Sequence, residues 1–272
     1  MKNILSILLL SLVVLSNGCI RQTPPGLTII DGVLSVGVEV GYPPMEYYDT
    51  DGVTLLGFDI ELAKALAQNL GLKVNFIDTA WEGILAGLES DRYDIAVNIT
   101  IIPERQKRFN FTKPYIDSSI TIVALKDSSI NIEKPEDIAG YRVAYQGDTT
   151  AQYFTERIKE NVSSVVPGSA FTAFSYDKII YCFDELKFGR IDLVVVDNIA
   201  AFEYTGKENS PFEVIWQGVP DEYIAICLKK GNDALSTALN NALDELYLDG
   251  TLLKIYQQIF GHGLSEAMLE LY

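Results

Sequence analysis

Histidine is almost absent from this chain: His262 is the only one in 272 residues, and the three cysteines, at positions 19, 182 and 227, form no C-x-x-C pair. A structural zinc site and a histidine-based catalytic triad both need side chains that are missing. Basic residues are also scarce. With 21 Lys plus Arg against 37 Asp plus Glu the formal net charge is -16, and without clustered Lys and Arg nucleic acid is excluded as a partner. The acid excess predicts a surface that is soluble and repels anionic membranes, and it names no ligand. Long apolar runs are lacking too. The longest, Ile4 to Leu15 with Ser6 and Ser11 inside it, falls short of the roughly 20 residues a membrane-spanning helix needs. What remains is an ordinary globular composition, 48% hydrophobic, long enough for one large domain or two of about 100 to 150 residues each.

The N-terminal run reads as the h-region of a signal peptide, residues 1–18, with cleavage before Cys19. A lone Cys after Gly18 suggests lipid attachment at Cys19, with residues 19–30, including Pro24-Pro25, as a tether. Plain cleavage and a secreted chain is the alternative, since Ser16 and Asn17 are unusual before such a cysteine. Either way the remainder lies outside the cytoplasm, at the cell surface or in the periplasm, and in the first case anchored to the cell membrane through lipid. Loss of Lys2 takes the mature charge from -16 to -17. Cys182 falls in a helical pattern and Cys227 in a strand pattern. Sequence does not place them within bonding distance, and two buried free thiols are expected.

Short apolar runs alternate with helical patterns, the signature of mainly parallel sheets flanked by helices: an α/β protein. Strands are expected at Leu34 to Glu39, Val74 to Ile77, Asp94 to Asn98, Arg142 to Gln146 and Leu193 to Asp197, with Ile120 to Leu125 and Ile224 to Leu228 apolar enough for a sheet centre. Helices are expected at Asp59 to Leu70, Trp81 to Leu88, Phe183 to Phe188 and across Asp233 to Phe260. One internal echo divides the chain. Asp91 to Val97 resembles Gly189 to Val195, 98 residues later, each following a short amphipathic helix and opening a buried strand, which suggests two lobes built alike.

Open parallel sheets bind ligands beyond the carboxyl ends of their strands, which points to Asn98-Ile99-Thr100 in one lobe and Asp197 in the other. After the first comes Pro103-Glu104-Arg105. Arg105 offers a planar fork that matches a carboxylate, with the Thr100 hydroxyl nearby, although a solvated surface arginine fits the same pattern. Gly147-Asp148-Thr149-Thr150 opens a helix after a strand, a place where free N–H groups favour an anion. Asp197 is suited to an ammonium, or to capping the helix that follows. Together these describe a site for an α-amino acid.

The order of Gly41-Tyr42-Pro43-Pro44-Met45-Glu46, Gly57-Phe58-Asp59, Asn98-Ile99-Thr100 with Pro103-Glu104-Arg105, Gln146-Gly147 with Thr149, Asp192 to Asp197 and Asp249-Gly250-Thr251 resembles the family-3 solute-binding proteins of polar amino acid ABC transporters over residues 32 to 261. The resemblance implies a two-lobed periplasmic-binding-protein fold of type II with two crossover hinge strands. It also implies an amino acid ligand, membrane permease subunits as partners, no cofactor, no catalysis and a monomer. Lobe 1 would comprise residues 31–118 plus 224–272, and lobe 2 residues 119–223. Arg105 would clamp the α-carboxylate with Thr100, Gly147, Thr149 and Thr150, Asp197 would take the α-ammonium near Asn98 and Ile99, and Tyr42 and Trp81 would flank the side chain. Asp148 stands where the family favours Ser or Thr and is expected to face solvent. Glu39 occupies a position where relatives of basic or glutamine specificity place an acid. Counted with Arg105 and Asp197 it leaves one uncompensated negative charge, favouring arginine, lysine or histidine, with glutamine next. An enzyme of the prephenate or arogenate dehydratase kind and a sensory ligand-binding protein are the alternatives on the same scaffold.

Overall fold

A computed structural model describes residues 26–165 and 172–272. Residues 1–25, and with them the signal peptide and Cys19, lie outside the described residues.

In chain order the first lobe contains β1 (Val33–Val38), a hairpin of β2 (Tyr47–Tyr48) and β3 (Leu55–Leu56), α1 (Phe58–Asn69), β4 (Lys73–Asp78), α2 (Trp81–Glu89), β5 (Ile95–Thr100), α3 (Pro103–Gln106) and β6 (Phe109–Ser118). The second contains β7 (Ile120–Leu125), β8 (Arg142–Gln146), α4 (Thr150–Val165), β9 (Thr172–Tyr176), α5 (Ile179–Lys187), β10 (Leu193–Asp197), α6 (Asn198–Thr205) and β11 (Phe212–Gln217). The chain returns through β12 (Glu222–Lys229) and closes with α7 (Asp233–Leu248), α8 (Thr251–Phe260) and α9 (Glu266–Leu269).

Each lobe is built on a five-stranded mixed sheet, β4-β1-β5-β12-β6 in one and β11-β7-β10-β8-β9 in the other. The chain crosses between them at β6 to β7 and at β11 to β12. In the first sheet β1 runs parallel to β4 and β5; in the second β8 runs parallel to β9 and β10. The α/β class with helix-flanked sheets is as the sequence indicated, but each sheet has two parallel and two antiparallel pairings where mainly parallel sheets were expected, because the strands at and after each crossover, β6, β7, β11 and β12, join antiparallel.

Helix formation follows the apolar spacing. In α1, Ile60, Ala63, Leu66 and Ala67 are buried on one face, and the chain turns out at Gly71 with φ 70°. The C-terminal helical stretch is two helices because Asp249-Gly250 interrupts it, Gly250 adopting the left-handed conformation at φ 82°. The aromatic residues of α8 pack inward, with Tyr256 edge-on to Phe58 and its hydroxyl donating to Tyr115 O at 2.6 Å.

The internal echo has a structural counterpart. Asp94 N–H donates to Ser35 O, and its carboxylate accepts from Ser35 N–H at 2.7 Å; Asp192 N–H donates to Arg142 O, and its carboxylate accepts from Arg142 N–H at 2.8 Å. In both lobes an Asp before a central strand thus pins the start of the neighbouring parallel strand. Tyr93, one residue earlier, fills a slot open only because residues 37 and 87 are glycine; a Cβ on Gly87 would stand 2.3 Å from the Tyr93 oxygen.

One detail differs from the sequence reading, and one strand lay outside it. The body begins before residue 31, since Leu27 and Thr28 are buried and Ile29 N–H donates to Asp94 at 2.6 Å, so residues 27–30 pack on lobe 1 and are no free tether. The long strand β6 carries no clean alternation, Pro114 falling at a shift in its register with β12. Cys182 and Cys227 are buried and free, in separate apolar clusters.

Candidate functional site

Four strands deliver their carboxyl ends to one cleft. β1 ends next to Glu39, β5 at Asn98 and Thr100, β8 at Gln146 and β10 at Asp197, and these residues line a narrow pocket between the lobes. The convergence follows from parallel strands in each sheet pointing the same way. Tyr42, Trp81, Arg105, Thr149, Thr150 and Ile224 complete the lining.

Arg105 comes from the one-turn helix α3, which Pro103 starts after the extended residue Ile102. It is 6% exposed, so burial pulls its proton affinity down, yet the guanidinium keeps its charge within a web of acceptors. Nη1 donates to Thr100 O at 3.0 Å and Nη2 reaches across the cleft to Asp148 O at 2.9 Å. The guanidinium also lies 5.6 Å from the Trp81 ring centroid, within cation–π range.

Asp197 is the N-cap of α6: its Oδ1 accepts from Ala200 N–H at 2.9 Å, while Oδ2 accepts from the Tyr42 hydroxyl of the opposite lobe. Capping and facing the cleft are therefore both met by one carboxylate. Burial raises its pKa, and the Tyr42 and Ala200 bonds oppose that.

Glu39 is 4% exposed. Its Oε1 accepts from Gln146 Nε2 of lobe 2 at 2.7 Å, and burial moves its pKa up to about 7 against the pull of Gln146 and Lys178. Gln146 Nε2 also donates to Asp177 O at 3.0 Å. Two acceptors around one nitrogen fix the amide orientation, which leaves Gln146 Oε1, a buried acceptor, without a hydrogen-bond partner among the described residues. The Trp81 indole N–H is in the same position. Buried polar groups are rarely left unpaired, and here one donor and one acceptor belong to the same pocket lining.

Of the positions singled out from the sequence, Glu39, Tyr42, Trp81, Asn98, Thr100, Arg105, Thr149, Thr150 and Asp197 all line this pocket. Ile99 instead points into the apolar cluster under α2, because side chains alternate along β5, and buried Gly147 forms the turn behind the lining, donating to Tyr176 O at 2.9 Å. The Thr149 hydroxyl donates to Gln146 O at 2.7 Å. Asp148 is exposed, as expected. Gln146, Ile224 and Lys178 were not among them. Gln146 ends β8 and obeys the strand-end rule; Ile224 enters from an antiparallel strand, which that rule does not cover. Lys178, in the loop before α5, donates from Nζ to Val40 O at 3.1 Å, so a cation stands beside Glu39 that the sequence-based charge count omits.

The sequence profile of the bacterial extracellular solute-binding proteins, family 3, matches residues 34–262. The chain belongs to that family. It is 34% identical over 86% of its length to 85% of an L-cystine-binding protein of Escherichia coli (strain K12). It is 33% identical over 84% of its length to 90% of ABC transporter arginine-binding protein 1 of the same organism. Among solved structures, an ancestral arginine-binding protein bound to arginine matches with a TM-score of 0.78 at 34% identity, covering 85% of this chain and 99% of that one. An ancestral amino acid-binding protein described as a precursor of cyclohexadienyl dehydratase matches with a TM-score of 0.73 at 32% identity, over 84% and 95% of the two chains. These relatives are binding proteins. No described helix is long and apolar enough to cross a membrane.

Proposed function

We propose that this protein is the extracytoplasmic amino acid-binding component of an ABC transporter, in which the lobes, residues up to 118 with 224–272 and residues 119–223, close over a free α-amino acid and present it to membrane permease subunits. One observation carries the reading: a buried guanidinium, Arg105, and a half-buried carboxylate, Asp197, stand in one interlobe pocket whose Trp81 N–H and Gln146 Oε1 have no partner among the described residues. Arg105 takes the α-carboxylate and Asp197 the α-ammonium. Glu39 and Gln146 Oε1 form an acceptor pair suited to N–H groups at the far end of the ligand. Arginine, the other basic amino acids, glutamine and cystine all bring such groups, and relatives named for arginine and cystine support that set. Thr149 and Thr150 flank the carboxylate end, and lipid on Cys19 would hold the protein at the membrane.

A thermal-shift screen against the twenty amino acids and L-cystine tests the reading, because a ligand that binds only the folded state raises its stability by about 2.7 kcal/mol at one hundred times Kd. A rise of several degrees with at least one amino acid is expected; no rise with any of them would remove the proposal. Turnover of prephenate or arogenate would instead establish the dehydratase reading, for which Glu222, near Thr150 with a pKa pushed up to about 7 mainly by burial, supplies an acid.

A further inference from the structure

At the distal end of the pocket Glu39 lies in the lining, and Lys178 stands beside it, outside the lining. Glu39 Oε1 is bound by Gln146, while Gln146 Oε1 is a buried acceptor with no partner among the described residues. Lys178 Nζ reaches from lobe 2 to the carbonyl of Val40, the residue after Glu39, and uses one of its three N–H donors there. Its ammonium also opposes the rise in the Glu39 pKa. Two further acids act here: exposed Asp78, whose Oδ1 accepts from Val40 N–H at 3.1 Å and whose charge, partly screened by solvent, adds to the rise in the Glu39 pKa, and buried Glu46, whose pKa burial pushes well up so that its uncharged form is favoured. With Arg105 and Asp197 at the proximal end, the site carries two cations and two anions.

We propose that Lys178 is a specificity-determining residue that reads the far end of the ligand: it opposes a far end bearing only positive charge and favours an amino acid whose far end repeats the ammonium–carboxylate pair. The far ammonium meets Glu39 and Gln146 Oε1, and the far carboxylate meets Lys178. This rests on the reading of the pocket as an amino acid site and deepens it to a substrate class, the doubly zwitterionic amino acids. The electrostatics supply the discrimination. Unit charges about 6 Å apart at an effective dielectric near 20 interact strongly enough to change affinity by roughly a hundredfold, and partial solvent access brings that to about tenfold.

The test titrates wild type, Lys178→Gln and Lys178→Arg with L-arginine, L-glutamine and L-cystine by calorimetry at pH 8.5, where Glu39 is ionised. In Lys178→Gln the affinity for arginine relative to cystine is expected to rise about tenfold or more, with glutamine nearly unchanged; Lys178→Arg, which keeps the charge, should hold the wild-type ratio within about threefold. A merely structural lysine would shift all three ligands together. An unchanged arginine-to-cystine ratio in Lys178→Gln, or failure of wild type to bind L-cystine, would overturn the proposal while leaving amino acid binding intact, whereas failure of wild type to bind any of the twenty amino acids or L-cystine overturns both.

Discussion

At the scale of single residues, the pocket is a set of side chains that each serve the fold and the cleft at once. Asp197 caps α6 and accepts from Tyr42 across the lobes; Arg105 ties Thr100 to Asp148 across the same gap. Arg105→Ala and Asp197→Ala are therefore expected to abolish amino acid binding measured by calorimetry, and affinity within twofold of wild type in either would refute its assigned role. Their stability costs should differ. Asp197→Ala also removes an N-cap, worth about 1 kcal/mol, while leaving the Tyr42 hydroxyl buried and unpaired, so its denaturation midpoint should fall further than that of Asp197→Asn, which keeps a cap. The pairing of Arg105 and Asp197 was legible in the sequence because strand ends and helix starts carry local signals. The unpaired state of Gln146 Oε1 was not, since it depends on which groups two distant segments bring to one amide.

Among the elements, the two Asp-led strands test whether the internal echo is structural. Asp94 is 4% exposed and accepts from Ile29 and Ser35 N–H, whereas the Asp192 side chain is 27% exposed and accepts from Arg142. Asp94→Ala strands the Ser35 donor in a buried place and the Ile29 donor in a partly buried one, and should cost about 2 kcal/mol in chemical denaturation. Asp192→Ala leaves groups that water reaches, and should cost about 1 kcal/mol or less. Equal costs would break the link between burial and penalty. Gly87→Ala is expected to lower stability by about 1 to 3 kcal/mol, because the added carbon meets the Tyr93 ring and hydroxyl. Most elements with apolar periodicity were legible, β8, β10 and β7 to the residue. Strands β9 and β11 were not, for they lie at the edges of the second sheet, where partly exposed residues blur the period-2 pattern.

For the whole molecule, burial of acids across the cleft and hinge makes stability depend on pH in a particular direction. Glu39 and Glu222 have pKa values raised to about 7, and buried Asp59, against Glu46, to about 6, in each case chiefly by desolvation. Between the unfolded value near 4.5 and the folded value near 7 the native state holds more protons than the unfolded chain, so stability is fully present below about 4.5 and is lost as pH rises to 7. For Glu39 alone the loss is on the order of 3 kcal/mol. The denaturation midpoint of ligand-free protein is thus expected to be higher at pH 5 than at pH 7.5, with the difference reduced in Glu39→Gln. A midpoint rising with pH over that range would contradict the burial of these acids.

The sequence by itself determined the α/β class, the doubled lobe and the acid, base and aromatic residues at strand ends, because periodicity, caps and strand-end position are local properties of the chain. Only the tertiary structure decided which charges share the pocket. Lys178 stands beside Glu39, and Gln146 bridges to it, because β8 and the loop before α5 belong to the lobe opposite β1, more than 100 residues away along the chain. Charge balance in a binding site depends on distances through space, and these are set where two sheets meet across a hinge.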